Sequence, residues 1–162
     1  MVLSAVAGAQ AQSAAQTYPN KPIRIVVTFT PGGAPDIIAR LLGERFTAVW
    51  GQPVVIDNKP GSGGNIGSDF VAKSAPDGYT LVVGTVGTHS INGALYTKMP
   101  YDMVRDFSPV SLVATTPNLL VVHNDVPAKT VQELIALGKR DGKMSFASSG
   151  SGTSIHVSGE LF

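Results

Sequence analysis

Pro31-Gly32-Gly33-Ala34-Pro35-Asp36 stands where an apolar run, Ile23 to Phe29, gives way to an amphipathic one, and a junction of that kind can trap an anion. The first N–H groups of a helix have no intrahelical acceptor, and the macrodipole adds roughly half a positive charge there. A carboxylate or phosphate can therefore bind without a Lys or Arg. Gly32 and Gly33 let the backbone approach a ligand, and Pro35 suits a first helical turn. A second small-residue stretch, Ser148-Ser149-Gly150-Ser151-Gly152-Thr153-Ser154, precedes another helical pattern. Two facing helix N-termini suit a ligand with carboxylates. Neutral N–H and hydroxyl donors also suit reversible capture, because no Lys or Arg has to be desolvated. The bland alternative is that each stretch is only a turn and a cap.

Other chemistries fit less well. Gly61 to Gly67 invites a dinucleotide reading, but G-x-G-x-x-G needs glycine where Ile66 stands, and no G-x-x-x-x-G-K-[ST] is present. A serine hydrolase would draw its nucleophile from Ser148, Ser149, Ser151 or Ser154 and its base from His89, His123 or His156. None of those serines has the flanking glycines of G-x-S-x-G. Three dispersed histidines without HExxH do not make a metal site, so no metal or cofactor is expected.

These loops need elements to hold them, and the pattern alternates strand and helix. Ile23 to Val27 reads as a buried strand and Asp36 to Val49 as a helix, with Ile37, Ile38, Leu41, Leu42 and Phe46 on one face. Pro53 to Asp57 is a second strand, Ile66 to about Ser74 a helix, and Thr80 to Gly84 a third strand after the Pro76-Asp77-Gly78 turn. Such alternation implies a mostly parallel sheet covered on both faces. Phe107 to Val122 is continuously apolar and β-branched apart from Thr115-Thr116-Pro117-Asn118, which predicts two strands crossing between lobes. Thr130 and Glu133 form a capping box for a helix over Val131 to Lys139. Met144 to Ala147 reads as another strand, followed by a helix from about Ser154.

Of the 162 residues, 43% are hydrophobic and 14% charged, which describes a folded chain rather than a disordered one. A net charge of +1, with basic residues scattered, gives no nucleic-acid footprint. The absence of cysteine in these residues excludes disulfides and thiol chemistry. Met1 to Gln16 is rich in small residues, contains Ala9-Gln10-Ala11 and resembles the cleavage end of a secretory signal without its charged front. No apolar run approaches the ~20 residues that cross a bilayer.

The chain resembles the solute receptors of tripartite tricarboxylate transporters, the Bug-type periplasmic binding proteins. The likeness rests on phrases in order along the sequence: Tyr18 to Arg24, Pro31-Gly32-Gly33 with Asp36, Gly51 to Val55, Asn58 to Gly67 and Ala75 to Leu81. It continues through Leu95-Tyr96, Pro100-Tyr101-Asp102, Asp106-Phe107, Pro127 to Thr130 and Ala147 to Thr153. The resemblance implies an α/β fold of the two-lobed Venus flytrap kind, with only its N-terminal half present, since members run to about twice this length. Residues 1–17 would be the remnant of an export signal, 18–112 a first lobe and 113–162 the start of a second. It implies capture of a small carboxylate (a di- or tricarboxylate, an amino acid or an aromatic acid) in the periplasm for the membrane subunits of the transporter, with no reaction on the ligand.

By the same resemblance Gly32, Gly33 and Ala34 would donate backbone N–H groups, and Asp36 would organise the loop or hold a bridging water. Ser149, Gly150, Gly152, Thr153 and Ser154 would present donors from the second lobe, and Thr85 and Thr88 would contribute to the first-lobe wall. Thr30 and Pro35 depart from the usual first loop, and His123-Asn124-Asp125 replaces an Asn-Pro-Ser-like turn. The alternatives are a truncated chain that does not bind, an interaction module for the membrane subunits, and the serine hydrolase above.

Overall fold

The computed structural model describes residues 18–162; the expected leader over 1–17 lies outside them. Strands β1 (Ile23–Val27), β2 (Val54–Asn58) and β3 (Thr80–Val83) form a parallel sheet in the order β2-β1-β3. Ile25 stands opposite Ile56 on one side and Leu81 on the other. β1 is β-branched and apolar at four of its five positions, and Ile23, Val26 and Val27 are completely buried, as a central parallel strand requires.

Helix α1 (Ala34–Trp50) follows β1 and helix α2 (Asn65–Ala72) follows β2. Alternate residues of β1 face opposite ways. Ile23, Ile25 and Val27 pack with Ala39 and Phe46 of α1, together with Val54, Ile56, Leu81 and Val83. On the other face, a Cβ at Gly67 of α2 would lie 2.8 Å from the Lys59 carbonyl and 3.0 Å from Thr28 Cγ2. The sheet is therefore covered on both sides, as its alternation with helices implied.

The apolar residues of α1 do not all share one buried face. Ala39 and Gly43 are buried, and Gly43 lies against Val54 and Ile56, whereas Ile37 and Leu41 are exposed. A 100° step per residue separates Ile37 and Leu41 from the Ala39–Gly43–Phe46 row that meets the sheet.

After β3 a π-helical turn, Gly87–Ile91, runs into the short helix α3 (Asn92–Leu95). Neither was legible as periodicity. Helix α4 (Val131–Asp141) begins where the capping box put it: Thr130 Oγ1 accepts from the Glu133 N–H at 3.2 Å, and the Glu133 carboxylate accepts from the Lys129 N–H at 2.6 Å. Helix α5 (Ser154–Leu161) has Thr153 as its N-cap.

Two strand expectations are corrected. Neither Phe107 to Val122 nor Met144 to Ala147 joins a sheet. A strand is made by the ladder of its neighbour. Among the described residues no strand pairs with these stretches, and Val110, Leu112, Leu119 and Val121 expose 80% or more of their surface.

Candidate functional site at the carboxyl ends of the strands

In parallel α/β sheets, ligands bind outside the carboxyl ends of the strands. Here that edge carries residues 28–36 after β1, the loop after β2 and the turn after β3. Gly32 takes φ +90°, which explains its glycine, and Gly33 is the extended N-cap of α1. The Gly33 carbonyl accepts from the N–H groups of Asp36 and Ile37, both at 3.0 Å. Among the described residues, the N–H groups of Gly33 and Ala34 have no acceptor; both residues are exposed, and Pro35 has none to offer.

Asp36 is buried and its two oxygens are fully engaged. Oδ2 accepts from the Gly32 N–H at 2.9 Å and Arg40 Nε at 3.0 Å; Oδ1 accepts from Arg40 Nη2 at 2.9 Å and Asn58 Nδ2 at 3.0 Å. The Arg40 guanidinium, the Gly32 N–H and the Asn58 amide hold its carboxyl far below the usual carboxylate range. Asn58 also donates to the Phe29 carbonyl at 3.1 Å. The loop is thus tied to the end of β2, and the Gly32 N–H is spent on Asp36, which leaves two outward donors where the sequence suggested three.

The neighbouring wall is a buried polar network. Asn92, completely buried, donates through Nδ2 to the Gly63 carbonyl at 3.0 Å and to Asn65 Oδ1 at 2.7 Å. The Tyr101 hydroxyl lies 2.7 Å from the Thr88 carbonyl and 2.9 Å from Asn65 Oδ1, so its single proton is shared between two acceptors. Burial pushes its pKa up. Thr88 is also completely buried; its Oγ1 accepts from the Thr85 N–H at 3.0 Å and sits 2.8 Å from His89 Nδ1. Burial lowers the His89 pKa and favours the neutral ring, which packs edge-on against Phe107 with centroids 4.7 Å apart.

The second small-residue loop lies against this wall. Tyr96 donates to the Ser151 carbonyl at 3.4 Å, and a Cβ at Gly87 would sit 2.7 Å from the Gly152 carbonyl. Ser149 and Gly150 are exposed, Gly152 and Thr153 buried. Thr153 Oγ1 donates to the Gly150 carbonyl at 2.8 Å and accepts from the His156 N–H at 3.2 Å, while Ser154 Oγ meets Asn118 Oδ1 at 3.4 Å. Among the described residues no serine hydroxyl is bonded to a histidine: His123 faces Asp125 and His156 faces Glu160.

The family model described as the tripartite tricarboxylate transporter family receptor matches residues 38–162. The chain belongs to this family. It is 45% identical over 145 residues to a Pseudomonas sp. (strain P51) protein encoded in the tcbD-tcbE intergenic region, covering 89% of this chain and 43% of the relative. Solved structures similar to this chain include the following. Rpa4515 of R. palustris with adipate gives a TM-score of 0.85 at 41% identity, over 89% of this chain and 48% of that one. MatC of Rhodopseudomonas palustris with bound malate gives 0.71 at 38%, over 75% and 42%. The periplasmic binding protein BugD gives 0.76 at 33%, over 89% and 48%. The chain has the α/β fold of periplasmic binding proteins and spans about half the length of the relatives it matches.

Several site-building residues take no site role from the sequence reading, although Asn58, Asn65 and Tyr101 stand in the family phrases. Arg40 reads as an exposed helix residue and Asn58 as the end of a strand, yet together they fix Asp36. Asn65, Asn92 and Tyr101 are polar residues whose burial only the fold reveals. The spacing of Asp36 and Arg40, one helical turn apart, is the one clue that was available.

Proposed function

We propose that this chain is the N-terminal part of a periplasmic receptor that captures a small carboxylate and delivers it to the membrane subunits of a tripartite tricarboxylate transporter. The observation that carries this is the start of α1, where Gly33 and Ala34 present unshared N–H groups from a loop locked by Asp36, Arg40 and Asn58. Membership of a receptor family, and similar proteins solved with adipate and with bound malate, supply the ligand class and support a role without catalysis. No helix among the described residues is long and apolar enough to cross a membrane.

In this reading Gly33 and Ala34 grip one ligand carboxylate, and Gly32 and Asp36 hold the loop in shape. Ser149, Gly152 and Ser154 supply donors from the opposite side, Gly150 and Thr153 hold that loop in shape through the Thr153 N–H and hydroxyl on the Gly150 carbonyl, and Thr85 and Thr88 stand in the wall. Residues 18–112 belong to the first lobe and 113–162 open the second. A ligand that touches both lobes binds the closed form better and so shifts the population toward it.

The test is calorimetric titration of the 162-residue chain, and of a chain extended to the length of its relatives, with adipate, malate, citrate, amino acids and aromatic acids. Saturable binding of a carboxylate by the extended chain, lost in Gly33→Leu, is the expected result. Absence of binding across the whole panel in a folded extended chain overturns the reading.

A further inference from the structure

The contacts that hold the 150–153 loop are different from the groups that would touch a ligand. Backbone meets backbone there. A Cβ at Gly63 would run into the Ser151 carbonyl oxygen, one at Gly87 would lie 2.7 Å from the Gly152 carbonyl oxygen, and one at Gly152 would run into Asn92 Oδ1. Gly63 and Gly152 have positive φ, of 62° and 86°, and would be glycine for that reason alone. Gly87 does not have positive φ, so the approach of Gly152 is its only steric demand for glycine. Asn92 ties the two sides together. Both protons of its amide are used within the wall, on Gly63 and Asn65, while its buried Oδ1 has no hydrogen-bond donor among the described residues and faces Gly152.

We infer that Asn92, with the glycine seam that Gly63 and Gly87 form against the carbonyls of Ser151 and Gly152, is a positioning device that registers the 150–153 loop on the first-lobe wall and thereby sets ligand affinity, Asn92, Gly63 and Gly87 not touching the ligand themselves. The inference rests on the receptor reading for its functional half only. A seam of backbone atoms has no side chain to rearrange, so one added methyl must push the loop away. Loss of the Asn92 amide would leave the Gly63 carbonyl and Asn65 Oδ1 each short of a donor in a buried place.

The test is amide hydrogen exchange by NMR on the 162-residue chain carrying Gly87→Ala, with Asn92→Ala as a second variant and Gly43→Ala as a control. Gly43 meets Val54 and Ile56 on the other side of the sheet, so its substitution perturbs packing away from the seam. The expected result is exchange at the Thr153 amide, which is buried and bonded to the Gly150 carbonyl at 3.3 Å, faster in Gly87→Ala but not in Gly43→Ala. The acceleration should be about tenfold or more, the size that overpacking by one methyl group produces. In the extended chain the affinities for adipate and malate fall with it. Unchanged exchange at Thr153 in Gly87→Ala overturns the inference, whether or not Asn92→Ala folds. If the unsubstituted extended chain binds neither acid, the receptor reading suffers, while the exchange data still decide the seam.

Discussion

Asp36 and Arg40 meet through two parallel hydrogen bonds, Nε to Oδ2 at 3.0 Å and Nη2 to Oδ1 at 2.9 Å, one helical turn apart at the start of α1. The pairing leaves the carboxylate two further acceptor positions, and these take the Gly32 N–H and the Asn58 amide. A charge placed at the positive end of α1 thus shapes the loop in front of it. The Asp36 carboxyl is held below its ordinary value, first by Arg40, then by Gly32 and Asn58. Its contribution to stability is complete above the unfolded-state pKa of about 3.9 and is lost as pH falls toward the depressed folded value. Urea midpoints measured from pH 7 down to pH 2 should therefore fall below about pH 4, and Asp36→Asn should flatten that fall while weakening carboxylate binding at pH 7.

His89 gives a second, separate window. Its ring is half-buried against Phe107 and Tyr101, and burial lowers its pKa. The unfolded chain takes up a proton below about pH 6.5 that the folded chain resists, so stability is present above that pH and declines as pH falls through the folded value. Thermal denaturation between pH 8 and pH 5 should show this decline in the unsubstituted chain. His89→Gln, which cannot titrate, should lower stability overall and remove the dependence in that interval.

Gly67 marks where α2 comes closest to β1. A methyl there would meet the Lys59 carbonyl at 2.8 Å and Thr28 at 3.0 Å, and a backbone carbonyl cannot swing aside as a side-chain end can. Gly67→Ala should therefore destabilise the fold by about 1–3 kcal/mol despite the better helix propensity of Ala. A urea midpoint that stays put or rises would refute the close approach.

What the sequence made legible divides along a physical line. β1, β2, β3, α1, α2, α4 and α5 follow from local periodicity and caps, with ends displaced by a residue or two, as helix and strand ends commonly are. The turn over Gly87–Ile91 and α3 carry no amphipathic repeat: Thr88 and Asn92 are polar and completely buried, Thr88 on its neighbours Thr85 and His89, and Asn92 with its amide protons donated to Gly63 and Asn65, far outside any short window of sequence. The expected strands at Phe107 to Val122 and Met144 to Ala147 fail for the converse reason. Their composition is β-forming, but a strand exists only beside another, and none of the described residues pairs with them. At the site, Gly32, Gly33 and Asp36 marked the loop between β1 and α1 as a candidate. That Asp36 would face inward, to Arg40 and Asn58, depended on the end of β2 lying beside the loop, which only the sheet order provides.

Gly33 offers the sharpest separation of binding from stability. Its backbone is in the ordinary extended region, φ −78° and ψ 166°, and a Cβ there would meet nothing closer than Pro35 Cδ at 3.8 Å. Gly33→Leu therefore adds a side chain without strain, into the space in front of the unshared N–H groups. Because an added group there obstructs the approach of a carboxylate to backbone donors, affinity for adipate or malate in the extended chain should fall about a hundredfold or more, the loss of two charge-assisted hydrogen bonds. The melting temperature should stay within about 2 °C, the scale expected of an exposed substitution free of strain. Ser154→Ala serves as the contrasting variant: it removes a hydroxyl that meets Asn118 and no histidine. A serine hydrolase would lose its turnover of ester substrates on that change, whereas a receptor has none to lose. Undiminished binding in Gly33→Leu would move the carboxylate away from the start of α1 altogether.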